Sequence, residues 1–242
     1  MAHSSLSPQG RVVLVSGANR GIGRAIVERL HAEGYALSLG AREESSLDPI
    51  VSRMDPKRTM VHAFEARDAN SPSAWVAAVH ARFGRIDGVV NNAGVMHGFD
   101  VEDPDESKLD AMWETNAKGP LRLIRAAFPY LKACGAGRVV NIVSLSGVRV
   151  RSARVAGYAM SKHAALALTH AVRYSGWEHG VRATAICPGY VATDMTAGVR
   201  ALAREEMIPA HVVAQLVATV LALPNSASVT ELPVNCVLEH SV

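Results

Sequence analysis

The chain has 242 residues, 49% of them hydrophobic and 19% charged, a globular balance that argues against a disordered or fibrous polymer. A formal charge of +3 with no Lys/Arg cluster argues against a nucleic-acid partner, and no apolar run approaches the ~20 residues of a membrane helix. Cys134, Cys187 and Cys236 are odd in number and form no CxxC pair, which argues against a disulfide framework or a zinc site and leads us to expect a reducing, cytoplasmic setting.

Residues 1–10 are polar, lack the apolar core of a secretory signal and are expected to be flexible. Val12–Ser16 reads as a buried strand, followed by a glycine-rich turn and a helix from about Gly21 to Glu33. Ala36–Leu39 and Met60–Phe64 read as the next strands, and a helix opens near Pro72 with Ser71 as its N-cap. Ile86–Val90 is a fourth strand, and a long helix over Leu109–Ala133 is expected to bend at Gly119-Pro120. Val139–Val143, the helix Ala156–His179, Ala183–Cys187, the helix Pro209–Leu223 and a last strand at Val234–Leu238 complete the reading.

Strands that run apolar throughout are buried on both faces, and their alternation with helices predicts an α/β fold. We expect one Rossmann-type domain over residues 1–242, a doubly wound parallel sheet of about seven strands with helices on both faces. Ligands of such sheets bind outside the carboxyl ends of the strands, so motifs at those ends carry the functional reading.

The first strand runs into Ser16-Gly17-Ala18-Asn19-Arg20-Gly21-Ile22-Gly23. Glycines let backbone N–H groups approach a pyrophosphate, and the helix that follows turns its positive end toward the charge. The spacing is GxxxGxG. It resembles the TGxxxGxG motif of the short-chain dehydrogenase/reductases, with Ser16 where Thr is usual. No carboxylate stands at the end of the second strand, where an NAD-binding Rossmann unit places one for the ribose 2′-hydroxyl. Gly40 occupies the expected point and Arg42 follows. Two guanidiniums, Arg20 and Arg42, can grip a 2′-phosphate, so NADP(H) is the expected cofactor. Asn91-Asn92-Ala93-Gly94 resembles the family's NNAG signature at the fourth strand's end, and Asp68 matches the family's adenine contact.

Tyr158-Ala159-Met160-Ser161-Lys162 places a phenol and an ammonium one helical turn apart on one face. An ammonium ~4 Å away contributes about 4 kcal/mol at an effective dielectric of 20, enough to lower the phenol pKa by about three. Tyr158 is therefore expected to be the general acid/base. In the family Ser144 binds the substrate oxygen, with Ser146 a weaker alternative. Asn116 holds a water leading from Lys162 to solvent, and Lys162 also bonds the nicotinamide ribose. Cys187-Pro188-Gly189-Tyr190-Val191-Ala192-Thr193-Asp194-Met195 resembles the family's PGxVxTxM segment, in which Val191 and Thr193 contact the nicotinamide carboxamide.

The resemblance implies an oxidoreductase moving a hydride between NADP(H) and a small carbonyl or secondary alcohol, assembled as a homodimer or homotetramer. The rival expectation is a non-catalytic NADP(H)-binding redox sensor. Arg149, Arg151 and Arg154, between Ser144 and Tyr158, are candidates for an anionic substrate group, although solvated loop charge is the plainer reading. The tail Glu231–Cys236 lacks the VDGG ending of many 3-oxoacyl-carrier-protein reductases.

Overall fold

A computed structural model describes residues 5–238. Seven strands form one parallel sheet in the order β3-β2-β1-β4-β5-β6-β7: β1 (Val12–Ser16), β2 (Ala36–Ala41), β3 (Thr59–Ala63), β4 (Gly88–Asn91), β5 (Arg138–Ile142), β6 (Arg182–Pro188) and β7 (Glu231–Val234). The helices are α1 (Gly21–Glu33), α2 (Asp48–Val51), α3 (Ser71–Phe83), α4 (Ser107–Trp113), α5 (Gly119–Ala133), α6 (Ala156–Gly176) and α7 (Ala210–Ala222). This is the expected Rossmann-like, doubly wound architecture, and strand order reverses between β1 and β4.

Every residue of β1 is buried because the strand is covered twice. Val13 and Val15 pack with Ile26, Val27 and Leu30 of α1 and Val213, Val217 and Leu221 of α7. Val12 and Leu14 face the other way, among Trp75, Val76 and Val79 of α3 and Leu123, Ala127 and Leu131 of α5. Burial of each such side chain stabilises the fold by roughly 1.5–3 kcal/mol, so the two layers fix the sheet on which the strand ends stand. The chain leaves α1 through Gly34, whose φ of +107° lets its N–H reach back to the carbonyls of His31 and Leu30.

Most element ends shift by one to three residues from expectation, and three departures are more than that. The last strand is Glu231–Val234, not Val234–Leu238: β7 is an edge strand paired only to β6, where Pro233 is tolerated opposite Cys187. Asn70, not Ser71, precedes α3. Ser71 begins the helix, and its hydroxyl accepts the Glu65 N–H at 3.0 Å. Ahead of Gly119-Pro120 the backbone forms a π-helical turn over Glu114–Lys118, which joins α4 to α5. Of residues 1–10, 1–4 lie outside the described residues, and the Leu6 N–H donates to the Ala222 carbonyl at 2.7 Å. Among the described residues no helix is long and apolar enough to cross a membrane.

Candidate active site

A cleft of about 760 Å³ opens at the carboxyl ends of the strands. It collects residues from eight separate segments. Of those singled out in the sequence, Gly17, Asn19, Arg20, Gly21, Ile22, Arg42, Asn92, Ala93, Gly94, Ser144, Tyr158, Lys162, Pro188, Gly189, Val191 and Thr193 all line it. Gly23, Asp68 and Asn116 do not.

The glycine turn between β1 and α1 is shaped by close backbone approach. Gly17 has φ +64°, and a Cβ there would lie 2.9 Å from Ala93 Cα. A Cβ on Gly23 would lie 2.0 Å from the Gly17 carbonyl oxygen, so Gly23 acts by holding the turn closed beneath the cleft. Ser16 explains why a hydroxyl belongs at the end of β1: its Oγ accepts the N–H groups of Asn92 and Ala93 at 3.0 and 3.1 Å. Asn92 returns the link, its Nδ2 donating to the carbonyls of Ser16 and Gly17 at 3.1 and 2.9 Å. The buried Asn91 donates to Asn141 of β5 at 2.8 Å. No side chain caps the amino end of α1, so its first N–H groups are left for a ligand. Such a turn, too narrow for a Cβ and fronted by free backbone donors, fits a dinucleotide pyrophosphate.

At the far end, Ala41 and Arg42 line the cleft, whereas Gly40 does not. A Cβ on Gly40 would meet Trp75 Cη2 at 2.5 Å. Gly40 is therefore a packing residue under the Trp75 indole, and the last residue of β2, Ala41, is the one that faces the cleft. Asp68 also departs from its expected place. The chain turns after β3, with the Asp68 N–H donating to the Glu65 carbonyl, and the exposed Asp68 carboxylate accepts the Asn70 N–H at 2.9 Å. The acidic residue of this turn that lines the cleft is Glu65, three residues earlier, beside Phe64, Ala66 and Arg67.

Tyr158 and Lys162 sit on the first turns of α6, 8% and 6% exposed. The Lys162 ammonium donates to the Ile142 carbonyl at 2.9 Å and lies 5.7 Å from the centre of the Tyr158 ring. Burial pulls the Lys162 pKa down to about 8. It pushes the Tyr158 pKa up to about 12, opposed by a hydrogen bond with Ser144. The expectation that the ammonium lowers the phenol pKa is thus corrected for the protein without cofactor: a phenol removed from water is harder to ionise, and the hydrogen bond with Ser144 offsets this only in part. Ser144 is the hydroxyl at the phenol. Ser146 instead donates its backbone N–H to Ser144 Oγ at 3.1 Å.

Asn116, 1% exposed, occupies the π-helical turn, and its amide is fully engaged. Oδ1 accepts the Val95 N–H at 2.9 Å, while Nδ2 donates to the Val95 carbonyl at 2.8 Å and to Ser161 Oγ at 3.0 Å. Ser161 in turn donates to the Tyr158 carbonyl at 2.8 Å. Asn116 thereby ties the loop after β4 to α6, and a Cβ on Gly94 would fall 3.3 Å from its Oδ1 and 3.5 Å from Lys162 Nζ. Ser161 was missed in the sequence because nothing local marks it as buried. Val95, His97, Thr115 and Thr196 also line the cleft without belonging to a quoted motif, and Asp194 and Met195 line it at the end of the Cys187–Met195 segment. Arg149, Arg151 and Arg154 do not line it. Cys187 is fully buried, with its pKa raised to about 11 by burial, which keeps the thiol protonated.

Known proteins resemble this chain in sequence and in fold. This chain is 43% identical over 234 residues to agropine synthesis reductase of Rhizobium rhizogenes, covering 96% of the chain and 54% of that protein. It thus spans about half the length of that curated relative. An uncharacterized oxidoreductase of Staphylococcus epidermidis is 32% identical over 224 residues, 93% of this chain and 96% of the relative. Among solved structures, an alcohol dehydrogenase from the archaeon Thermococcus sibiricus, complexed with 5-hydroxy-NADP, superposes with a TM-score of 0.86 at 30% identity, covering 96% of this chain and 99% of that one. Levodione reductase gives 0.84 at 28%, covering 93% and 96%. The short chain dehydrogenase family model matches residues 11–203, and the chain belongs to that family of oxidoreductases.

Proposed function

We propose that this chain is an NADP(H)-dependent oxidoreductase that reduces a carbonyl, or oxidises the matching secondary alcohol, with Tyr158 exchanging the proton. The observation that carries this reading is the Tyr158 phenol, buried at the cleft wall and hydrogen-bonded with Ser144. At neutral pH a phenol whose pKa is pushed up to about 12 is fully protonated. It is therefore set to give a proton to a carbonyl oxygen. When bound, the nicotinamide supplies or takes up the hydride. Ser144 holds the substrate oxygen beside the phenol. Lys162, fixed by Ile142, bonds the ribose hydroxyls, and its charge assists the phenol once the cleft is filled. Two relatives are named reductases, agropine synthesis reductase and a putative ketoacyl reductase of Streptomyces virginiae, in keeping with reduction.

NADP(H) is favoured by the charge at the adenosine end. Arg20 and Arg42 line the cleft, with Glu43 beside Arg42, and the buried position between Gly40 and Arg42 is Ala41, which brings no carboxylate of its own against a 2′-phosphate. The rest of the predicted cofactor set would follow the cleft: Gly17, Asn19, Gly21 and Ile22 at the pyrophosphate, Asn92 to Gly94 at the adenosine half, and Pro188, Gly189, Val191 and Thr193 at the nicotinamide.

We read residues 1–242 as one cofactor-binding domain, working in the cytoplasm, where three free thiols persist. A homodimer or homotetramer would cover the exposed Leu121 of α5 and Met160, Tyr174 and Trp177 on and after α6. Light scattering that finds only monomer would refute the assembly. The test of function is a panel of aldehydes, ketones and keto acids followed by NADPH and NADH absorbance. Turnover with NADPH that disappears in Tyr158→Phe is expected. Tight NADPH binding without turnover across the panel would refute catalysis.

A further inference from the structure

Two loops from distant parts of the chain meet over the cleft. The Arg20 guanidinium, in the β1–α1 turn, lies 3.4 Å from the Asp194 carboxylate in the loop after β6. A Cβ on Gly21 would approach the Thr193 side chain to 3.2 Å, so the two segments come together at the same place. The Asp194 side is braced: the Thr193 N–H donates to Thr196 Oγ1 at 3.2 Å, Thr196 Oγ1 donates to the Val191 carbonyl at 2.6 Å, and Arg204 donates to the Thr193 carbonyl at 3.2 Å. Both partners of the ion pair line the cleft and remain 69% and 70% exposed, so they are free to separate.

We infer that Asp194 is a cofactor-selectivity residue: it occupies Arg20 in the empty cleft as a stand-in anion and surrenders it to the 2′-phosphate of NADP(H). The inference rests on the assignment of Arg20 to that phosphate. A phosphate monoester carries more charge than a carboxylate and offers three acceptor oxygens, so it displaces Asp194 from the guanidinium. A cofactor lacking the 2′-phosphate cannot do so, and with it the strap across the cleft stays closed. Because the pair is exposed, its contribution is small and screened by salt.

The test is equilibrium titration of NADPH and NADH by ligand fluorescence at low ionic strength, on the native protein, Asp194→Asn, Arg20→Ala and the double variant. Release of Arg20 in Asp194→Asn is expected to tighten NADPH by up to about fivefold and NADH by less, so the NADPH preference rises. In the Arg20→Ala background the same substitution should leave that preference unchanged. Equal tightening of both cofactors, or an undiminished effect without Arg20, overturns the strap. A native protein that binds NADH as tightly as NADPH overturns the NADP(H) reading, and the strap with it. A native NADPH preference that Asp194→Asn does not increase overturns the strap alone.

Discussion

Replacing Lys162 with methionine separates what this side chain costs the fold from what it does in the cleft. Burial lowers its pKa from the ordinary 10.5 to about 8, so the unfolded chain holds the proton more tightly than the folded one. The penalty is complete below about pH 8, shrinks as pH rises through the interval between the two values, and is gone above 10.5. At pH 7 it amounts to about 3 kcal/mol. Methionine keeps most of the volume but forfeits the 2.9 Å bond to the Ile142 carbonyl, a charged hydrogen bond worth about 1.5–3 kcal/mol. The cofactor-free variant is thus expected to be as stable as the native protein at pH 7, or more stable by up to about 2 kcal/mol, while losing turnover. Its advantage should fall by about 2 kcal/mol between pH 7 and about pH 9.5, as the native protein escapes its penalty. Tyr158 is present in both proteins, so its titration cancels in the difference. Urea unfolding of both proteins at the two pH values measures this. A difference that does not change with pH, or that grows in the variant's favour, would refute the reasoning.

Gly23→Ala puts a methyl 2.0 Å from the Gly17 carbonyl oxygen; the turn must open, and NADPH affinity measured by titration should fall at least tenfold. Gly40→Asp forces a side chain into the Trp75 indole and should lower stability by several kcal/mol without creating an NADH preference, whereas Ala41→Asp should shift the Kd ratio toward NADH. Ser144→Ala removes the hydroxyl at the phenol and should cut kcat by about 10²–10³, while Ser146→Ala, which keeps the backbone N–H that Ser144 accepts, should leave kcat within a few fold. Asn116→Ala should destabilise the loop after β4, seen as faster amide exchange at Val95, because Val95 loses both of its bonds.

The elements that were legible in the sequence are those whose signal is local. Val12–Ser16 and Gly21–Glu33 fall where the apolar run and the glycine turn place them, since burial on two faces and helical spacing both write themselves into neighbouring residues. The YxxxK pair was legible for the same reason, as α6 sets its geometry within one turn. What the sequence left open depends on residues far apart. Gly40 read as a missing carboxylate until Trp75, 35 positions on, was seen to fill its place. Asn116 was matched to its family position in the sequence, but the bonds by which its amide ties Val95 to Ser161 were not legible there.

The pattern of apolar runs and glycines by itself determined a doubly wound sheet with a cofactor turn after the first strand, because those features minimise exposed surface and strain one segment at a time. Only the tertiary structure decided the electrostatics. Arg11, Arg138 and Arg182, unremarkable as single letters, are buried beside the strand starts and donate to the carbonyls of Ala136, Leu223 and Trp177. The Tyr158 phenol is governed by the water it has lost, more than by the lysine one turn away. Desolvation depends on everything that surrounds a group, and that environment is assembled from segments the linear order keeps apart.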